Sequence, residues 1–292
     1  MTYEFIAQQS GEYPVRRLCA VLGVPPSSYY AWRKRPASGH QQANRGLVEQ
    51  IQRVHAESRG TYGSPRVHQW LRQRGVVCGR HRVARLMRLS GIVARRASRR
   101  RPTTTQRRAG APIWPNRLRQ DFQAERPNQK WVADITYIDT REGWLYLAAL
   151  MDLCSRRVVG WSMGEDLSAS LVEDALAMAV GRRDVGEGLL HHSDQGCQYT
   201  SHTYQGRLAE LKAQVSMSGV GNCYDNAVME SFFSTLKAEC ATYRFTCREE
   251  ARRQIFEFIE IWYNRQRMHS SLDYLSPAEY ESRLSSDTIS VH

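Results

Sequence analysis

The chain has 292 residues, of which 41 are Lys or Arg and 29 are Asp or Glu, so its formal net charge is +12. Its length allows about two domains, and a hydrophobic fraction of 41% without any run of about eighteen apolar residues excludes a transmembrane span and favours a soluble globular protein. The positive charge favours a polyanionic partner.

The first residues, MTYEFIAQQSGEYP, lack the basic start and apolar stretch of a signal peptide. The chain is therefore expected to stay in the cytosol. Seven cysteines are scattered without a CxxC pair, which argues against a disulfide framework and against a structural zinc site. We expect reduced and mostly buried thiols.

Residues 15–35, VRRLCAVLGVPPSSYYAWRKR, have the outline of a helix-turn-helix. The pattern predicts a helix to Leu22, a turn at Gly23 and a second helix capped by Ser27 or Ser28, which would enter a DNA major groove. Any helical hairpin can have a glycine turn, so this interpretation depends on the basic charge of the region.

Residues 64–90 repeat the outline. Ser64 is the predicted N-cap, Pro65 takes the first helical position, and Gly75 ends the helix. A second helix is predicted from about Arg80.

The predicted helix from Arg80 has an apolar side and a basic side. Val83, Leu86 and Met87 are expected to face inward. A solvated basic face is the alternative reading of its other side, but a face this free of acids is better explained by DNA phosphates. The residues predicted to bind DNA here are Arg80, Arg82, Arg85 and Arg88.

Charge divides the chain near residue 126. Residues 1–126 carry 25 Lys or Arg against 6 Asp or Glu, whereas residues 127–292 carry 16 against 23. We therefore expect a helical DNA-binding region at 1–93, a basic linker at 94–126 that orders on DNA, and a core at 127–292 with a C-terminal helical extension. A nuclear localisation signal is the usual alternative for such a linker. Its residues predicted to bind DNA are Arg95, Arg96, Arg99, Arg100 and Arg101.

The second half alternates strands and helices. Strands are predicted at residues 131–138, 144–151, 158–163, 189–193 and 214–217. Helices are predicted at 170–182, 202–211, 227–239 and 249–265. Capping boxes are expected at Ser170 to Glu173 and at Ser276 to Glu279, the latter with Pro277 at the first helical position.

Three acids of this half can converge. Asp134 lies in the first predicted strand, Asp194 follows the fourth, and Glu230 is near the start of the helix at 227–239. Carboxylates brought together in this way would bind hard divalent cations, and two such ions can stabilise the attacking and leaving oxygens of a phosphoryl transfer. Three surface acids are the alternative, since the chain has 29.

Other polar residues nearby have plainer interpretations. Asp152 is assigned to a turn, and His191 and His192 to packing or hydrogen bonding. Residues 218–226, SGVGNCYDN, are predicted to form a mobile loop that closes over DNA. Near the C-terminus lies a basic cluster of Arg265, Arg267 and His269. It is either a phosphate-contacting element or a lid on the core, and neither interpretation is favoured.

The three acids lie in the stretches WVADITY around Asp134, HSDQGCQY around Asp194 and DNAVMESFFSTLKAE around Glu230. Together these stretches resemble the integrase-type catalytic core of insertion-sequence transposases of the OrfB kind, and the resemblance covers residues 129–280. The resemblance implies an α/β RNase H-like core, with a mixed five-stranded sheet flanked by helices, preceded here by an all-α helix-turn-helix region. It also implies a DDE-type polynucleotidyl transferase that cleaves and joins DNA ends without a covalent enzyme intermediate.

The resemblance implies two magnesium ions, with manganese as a substitute. In that assignment Asp134 bridges both ions, while Asp194 and Glu230 each hold one. Lys237 lies about 10 Å along the helix from Glu230, and the family carries a basic residue at this offset. We expect Lys237 to hold a DNA phosphate near the scissile bond; a solvent-facing lysine is the alternative.

The expected partners are double-stranded DNA, both the terminal inverted repeats of an element and its target, and further copies of the chain, because two ends must be held together. The resemblance also implies a helix-turn-helix product of an upstream reading frame, as partner or fusion, because members of the family are often made in that way. No membrane partner is expected, and the place of work is the cytoplasm, on the nucleoid. The alternatives are a DNA-binding repressor with an inactive core and a nuclease that cuts without joining.

Overall fold

The computed structural model describes residues 2–34, 38–95, 113–219 and 222–289. None of the helices within these ranges is long and apolar enough to cross a membrane. Most of the predicted basic linker, residues 96–112, lies outside them. The helices that precede the sheet are α1 Thr2–Gln9, α2 Val15–Val21, α3 Pro26–Lys34, α4 Gly39–Glu57, α5 Ser64–Gln73 and α6 Arg80–Leu89.

Helices α1 to α3 form a small unit with its own core. Ile6, Cys19 and Tyr29 are fully buried in it. The predicted turn between α2 and α3 is confirmed, and Gly23 has a φ of +66° there, which glycine adopts without strain. The predicted cap at Ser27 or Ser28 is wrong, because α3 already begins at Pro26. Proline fits a first helical position since it has no N–H to satisfy.

Helices α4 to α6 form a second unit. Val83, Leu86 and Met87 of α6 are buried, as predicted. The predicted cap at Ser64 is wrong, because Gly63 is the N-cap residue of α5 and Ser64 is already helical. Helix α4 was not predicted, although its signal is present in the sequence: Ser38 and Gln41 form a complete capping box.

The five predicted strands are all present, and their ends differ from the predicted ones by at most two residues. They are β1 Lys130–Thr140, β2 Gly143–Asp152, β3 Val158–Gly164, β4 Leu190–Ser193 and β5 Gln214–Met217. The sheet order is β3-β2-β1-β4-β5, with β1 to β3 antiparallel and β4 and β5 parallel to β1. This mixed sheet has the strand order of the RNase H-like fold, so the predicted fold class is confirmed.

Helices cover both faces of the sheet. Helices α7 Ala169–Arg182 and α8 His202–Glu210 pack on one face. The backbone of α7 lies directly on β3, because a Cβ added at Gly160 would stand 2.1 Å from the Ala175 carbonyl oxygen. The predicted capping box at Ser170 is wrong: Ser168 is the N-cap residue, and the Glu173 carboxylate accepts a hydrogen bond from Thr203 of α8 instead.

The opposite face is covered by α9 Ala227–Glu239 and α10 Arg248–Phe256. The last helix, α11 Pro277–Ile289, is joined to the segment before β3 through Glu281, whose carboxylate pairs with Arg157. The predicted helix at 249–265 is α10 followed directly by a π-helix, Glu257–Tyr263. Its predicted apolar positions, Ile255, Phe258, Ile259 and Trp262, are buried. The predicted capping box before α11 is confirmed, since Ser276 and Glu279 bond each other's backbone N–H groups.

A buried ion pair joins the end of α9 to the segment after the π-helix. The guanidinium of Arg267 donates to the carboxylate of Glu239, with 2.9 Å between Nη2 and Oε1, and the Trp262 indole donates to the same carboxylate at 2.8 Å. The next backbone N–H, that of Met268, donates to the Tyr62 hydroxyl at 2.8 Å. Tyr62 precedes α5, so this cluster also attaches α4 to α6 to the sheet half of the protein.

The six cysteines that the structure describes are free thiols, which agrees with the predicted reduced state. Cys19, Cys154 and Cys240 are buried, and the other three are half-buried. Burial raises the pKa of the Cys154 thiol to about 11 and that of Cys240 to about 12, which keeps both protonated and unreactive at neutral pH.

The first prediction concerns the buried ion pair. Arg267→Ala leaves the Glu239 carboxylate buried without its counter-charge, so we expect a loss of about 3–5 kcal/mol in the free energy of unfolding, measured by urea denaturation. Arg265→Ala is the control, because Arg265 is exposed two residues away. A loss in Arg267→Ala that is no larger than in the control would contradict this role.

Candidate active site

Asp134 lies in the middle of β1, between β2 and β4, and its side chain is half-buried. Its Oδ1 accepts a hydrogen bond from the N–H of Ile135 at 2.8 Å. Burial raises the pKa of the Asp134 carboxyl well above its ordinary value, and the charges of Asp194 and Glu230 raise it further. All three predicted carboxylates are therefore close enough to interact electrostatically.

The parallel pairing of β1 and β4 places Asp194 beside Asp134. Val132 is the register partner of His192, and the two aspartates stand two residues further along their chains. Asp194 is held in the turn after β4, where its Oδ1 accepts from the N–H of Gly196 at 3.0 Å. A Cβ at position 196 would stand 2.9 Å from that oxygen, so a side chain there would displace the Asp194 carboxylate.

Glu230 is exposed on the first turn of α9, whose opposite side is buried through Met229 and Phe233. Asn226 fixes the start of this helix, because its Nδ2 donates to the Ala133 carbonyl at 3.1 Å, next to Asp134. Asn226 is the N-cap residue, but its side chain bonds β1 rather than the helix.

The three carboxylates do not form a closed metal cage. Within the described ranges, no three His, Cys, Asp or Glu side chains lie close enough together to hold a metal ion. The donor set nevertheless suits a hard divalent cation, which prefers carboxylate oxygens. A cation would also relieve the mutual repulsion that raises the pKa of Asp134. The exposed Glu230 is the carboxylate with the most freedom to approach it.

Lys237 lies on α9, two turns after Glu230, and is half-buried rather than fully solvent-facing. Burial lowers the pKa of its ammonium group, whereas the negative charge of Asp134 raises it. The same pairing lowers the pKa of Asp134. Lys237 thus places a positive charge near the predicted acids, and the carboxylate that it influences is Asp134 rather than Glu230.

Two of the plainer interpretations are confirmed. Asp152 is fully buried and organises its turn by accepting from the backbone N–H groups of Asn128, Cys154 and Ser155. His191 and His192 are also buried and hydrogen-bonded. The partners are the Tyr204 hydroxyl for His191, and the hydroxyls of Ser216 and Ser218 for His192.

The loop before α9 is only partly described, because residues 220 and 221 lie outside the described ranges. What is described there is held by Asp225, which is buried. Its carboxylate accepts from the Gly219 N–H at 2.9 Å, from Asn222 Nδ2 at 2.9 Å and from Gln120 Nε2 at 3.1 Å. The mobility predicted for this loop remains a prediction.

The arginines predicted to bind DNA lie in different surroundings. Arg80, Arg85 and Arg88 are exposed on α6. Arg82 is half-buried and donates to Asn44 of α4 at 2.9 Å, so it is less available to a phosphate than predicted. Arg95 is exposed, and its backbone N–H donates to the Gly60 carbonyl. The other linker residues of this set, Arg96, Arg99, Arg100 and Arg101, lie outside the described ranges.

The C-terminal basic cluster, left open between two readings, belongs mainly to the core. Arg267 and His269 are buried, and only Arg265 is exposed. The lid interpretation therefore fits Arg267 and His269, because a buried guanidinium paired with Glu239 is not free to bind a phosphate.

Family models match three ranges of the chain. A model described as an HTH-like domain matches residues 41–101, which include α4 to α6. Two models described as an integrase core domain match residues 124–223 and 211–277. The first contains Asp134 and Asp194, and the second contains Glu230 and Lys237.

Curated relatives are similar over nearly the whole chain. The transposase InsF for insertion sequence IS3A of Escherichia coli K12 is 42% identical over 286 residues, 97% of this chain and 99% of the relative. An insertion element IS600 uncharacterized 31 kDa protein of Shigella sonnei is 42% identical over 91% of this chain and 98% of its own length. Among solved structures, the HTLV-2 integrase catalytic core domain in complex with magnesium is 14% identical with a TM-score of 0.42, over 54% of this chain and 98% of that one.

The raised pKa of Asp134 predicts that replacing this residue with asparagine stabilises the folded protein at neutral pH. Because the folded protein holds this proton more tightly than the unfolded chain, ionisation of Asp134 destabilises the fold as pH rises above about 4. Asp134→Asn should therefore raise the melting temperature of chelator-treated protein at pH 7, and the gain should fade as the pH is lowered to about 4. Asp139→Asn, at an exposed site on the same strand, gives the background effect. A lower melting temperature in Asp134→Asn at pH 7 would refute this reading.

Proposed function

Since this chain belongs to the insertion-sequence transposases with an integrase-type core, we propose that Asp134, Asp194 and Glu230 carry out its chemistry. The chain is a DNA transposase that acts in integration and recombination. Its enzyme class is the DDE-type polynucleotidyl transferases. The register of β1 and β4 supports the assignment of the three acids most strongly. It places Asp134 on β1 beside Asp194 in the turn after β4, where their like charges are costly unless a cation is bound.

Integrase-type cores use divalent metal ions, and we assign two magnesium ions to this one, with manganese as a substitute. When bound, the ions activate an attacking water or 3′-hydroxyl and stabilise the leaving oxygen. Asp134 would contact both ions, since the charges of both other acids raise its pKa. Asp194 and Glu230 would each hold one. Lys237 would place its ammonium against a DNA phosphate beside them.

DNA recognition is assigned to the helices before the sheet. The exposed arginines of α6, Arg80, Arg85 and Arg88, would bind phosphates of the element's ends, and each contact would steepen the salt dependence of binding. This assignment is supported by the HTH-like match at residues 41–101. The predicted helix-turn-helix at 15–35 and the linker arginines would add further contacts.

Transposition must hold two element ends and a target together. We therefore assign the working form to an oligomer of this chain on DNA, joined by an upstream-frame helix-turn-helix product either as partner or as fusion. Because the substrate is genomic DNA, the place of work is the cytoplasm, on the nucleoid. The three-part division at residues 93 and 126 remains a proposal as well.

The triad prediction has a direct test. Asp134→Asn, Asp194→Asn and Glu230→Gln should each reduce cleavage and strand transfer by about 10³-fold or more, because each removes a metal ligand, while DNA binding stays nearly unchanged. Activity is measured on labelled element ends with magnesium, and binding by gel shift. Asp139→Asn and Glu210→Gln are controls, since both residues are exposed. Near-normal activity in any one triad variant would exclude that residue from the triad.

The Lys237 prediction separates charge from shape. Lys237→Ala should slow strand transfer about tenfold or more at subsaturating DNA, the equivalent of one charge-assisted hydrogen bond, whereas Lys237→Arg should retain part of the activity. Lys212→Ala is the control, because Lys212 is an exposed lysine paired with Glu187. An unchanged rate in Lys237→Ala, with normal melting, would remove Lys237 from the site.

A further inference from the structure

Tyr199 lies close enough to Asp134 and Asp194 for the charges of both carboxylates to act on its hydroxyl. Only 2% of its surface is exposed, and its hydroxyl has no hydrogen-bond partner among the described residues. Buried hydroxyls almost always have a partner, so an unpaired one beside a reaction centre requires an explanation. No step assigned so far uses it.

The backbone fixes Tyr199 relative to Asp194. The N–H of Gly196 donates to Asp194 Oδ1 at 3.0 Å, and the carbonyl of the same glycine accepts from the N–H of Tyr199 at 3.1 Å. The Asp194 carboxylate and the backbone N–H of Tyr199 are thus both hydrogen-bonded to Gly196. Moving Tyr199 relative to Asp194 would break one of these two bonds.

The ring of Tyr199 is also held in place. It packs edge-on against the ring of Tyr204, with centroids 5.4 Å apart and an interplanar angle of 76°. The Tyr204 hydroxyl is bonded to Nε2 of His191 at 2.8 Å, and His191 lies in β4. The Tyr199 ring is thus held through Tyr204 and His191 against β4.

Electrostatics connects the phenol to both aspartates. Burial raises the pKa of Tyr199 well above its ordinary value, the neighbouring Tyr204 raises it next, and the negative charges of Asp134 and Asp194 raise it further. The hydroxyl therefore keeps its proton at neutral pH, and the negative charges of both aspartates act on it. A neutral phenol in this place can only donate to them.

We propose that Tyr199 is a positioning residue for the metal site, whose hydroxyl donates a hydrogen bond to the Asp194 carboxylate when that carboxylate binds the divalent ion. The bond would hold one carboxylate oxygen and turn the other toward the ion. Partners of metal ligands commonly act in this way, and their loss costs about 10–100-fold in metal affinity or activity. The inference rests on the proposed role of Asp194 as a metal ligand.

The test is Tyr199→Phe in the full chain, which removes the hydroxyl and keeps the ring. We expect the magnesium concentration for half-maximal strand transfer to rise about tenfold or more. A second measurement needs no activity: the rise in melting temperature on adding magnesium or manganese to DNA-free protein should shrink, because weaker binding stabilises less. The metal-free melting temperature should stay the same or rise, since the hydroxyl has no partner there.

Tyr204→Phe is the matched control, because its hydroxyl bonds His191 and not an acid. It should lower the metal-free melting temperature and leave the magnesium requirement unchanged. An unchanged magnesium requirement and an unchanged metal-induced stabilisation in Tyr199→Phe would overturn the proposal. Asp194→Asn separates the two levels of inference: if it retains the metal-induced stabilisation of the unaltered protein, the metal-ligand role of Asp194 fails, and the role of Tyr199 fails with it.

Discussion

The buried pair of Glu239 and Arg267 fixes the geometry on which the rest of this protein depends. Glu239 ends the helix that begins with the Glu230 turn, so the pair anchors that helix at the end away from the acids. A buried charge is tolerated only when it is paired and hydrogen-bonded, and here the Trp262 indole supplies a further donor. The orientation of Glu230 therefore depends on residues far from it in the sequence.

The site itself combines a rigid part with an adjustable part. Strand pairing fixes the position of Asp134, and the turn at Gly196 fixes that of Asp194. The two carboxylates therefore cannot move apart to reduce their repulsion. Glu230 is exposed on a helix whose start is tied to β1 through Asn226. In the proposed metal site, the two aspartates would repel each other until a cation binds, and Glu230 would complete the coordination of that cation.

Local pattern predicted the parts of this fold that are decided locally. The strand around Asp134, the helix around Glu230 and the capping box at Ser276 follow from alternation, helical spacing and capping chemistry. The caps at Ser64 and Ser170 were wrong, because Gly63 and Ser168 took those positions and a distant threonine occupies Glu173. The roles of Tyr62 and Tyr199 depend on contacts across the fold, which no local pattern contains; an aromatic residue within the polar turn after Asp194 was the only signal for Tyr199.

The boundary between the basic and the acidic half of the chain does not coincide with a boundary of the hydrophobic core. The positive and negative halves meet near residue 126, but the apolar side chains of α4 to α6 share one continuous core with the sheet half, and Tyr62 lies against Trp262 with ring centroids 5.8 Å apart. A piece of the chain ending at that charge boundary would carry Tyr62 and its apolar neighbours into water. Evolution can therefore exchange the small unit of α1 to α3 between elements more readily than it can exchange α4 to α6, whose inner surface has to change together with the π-helix.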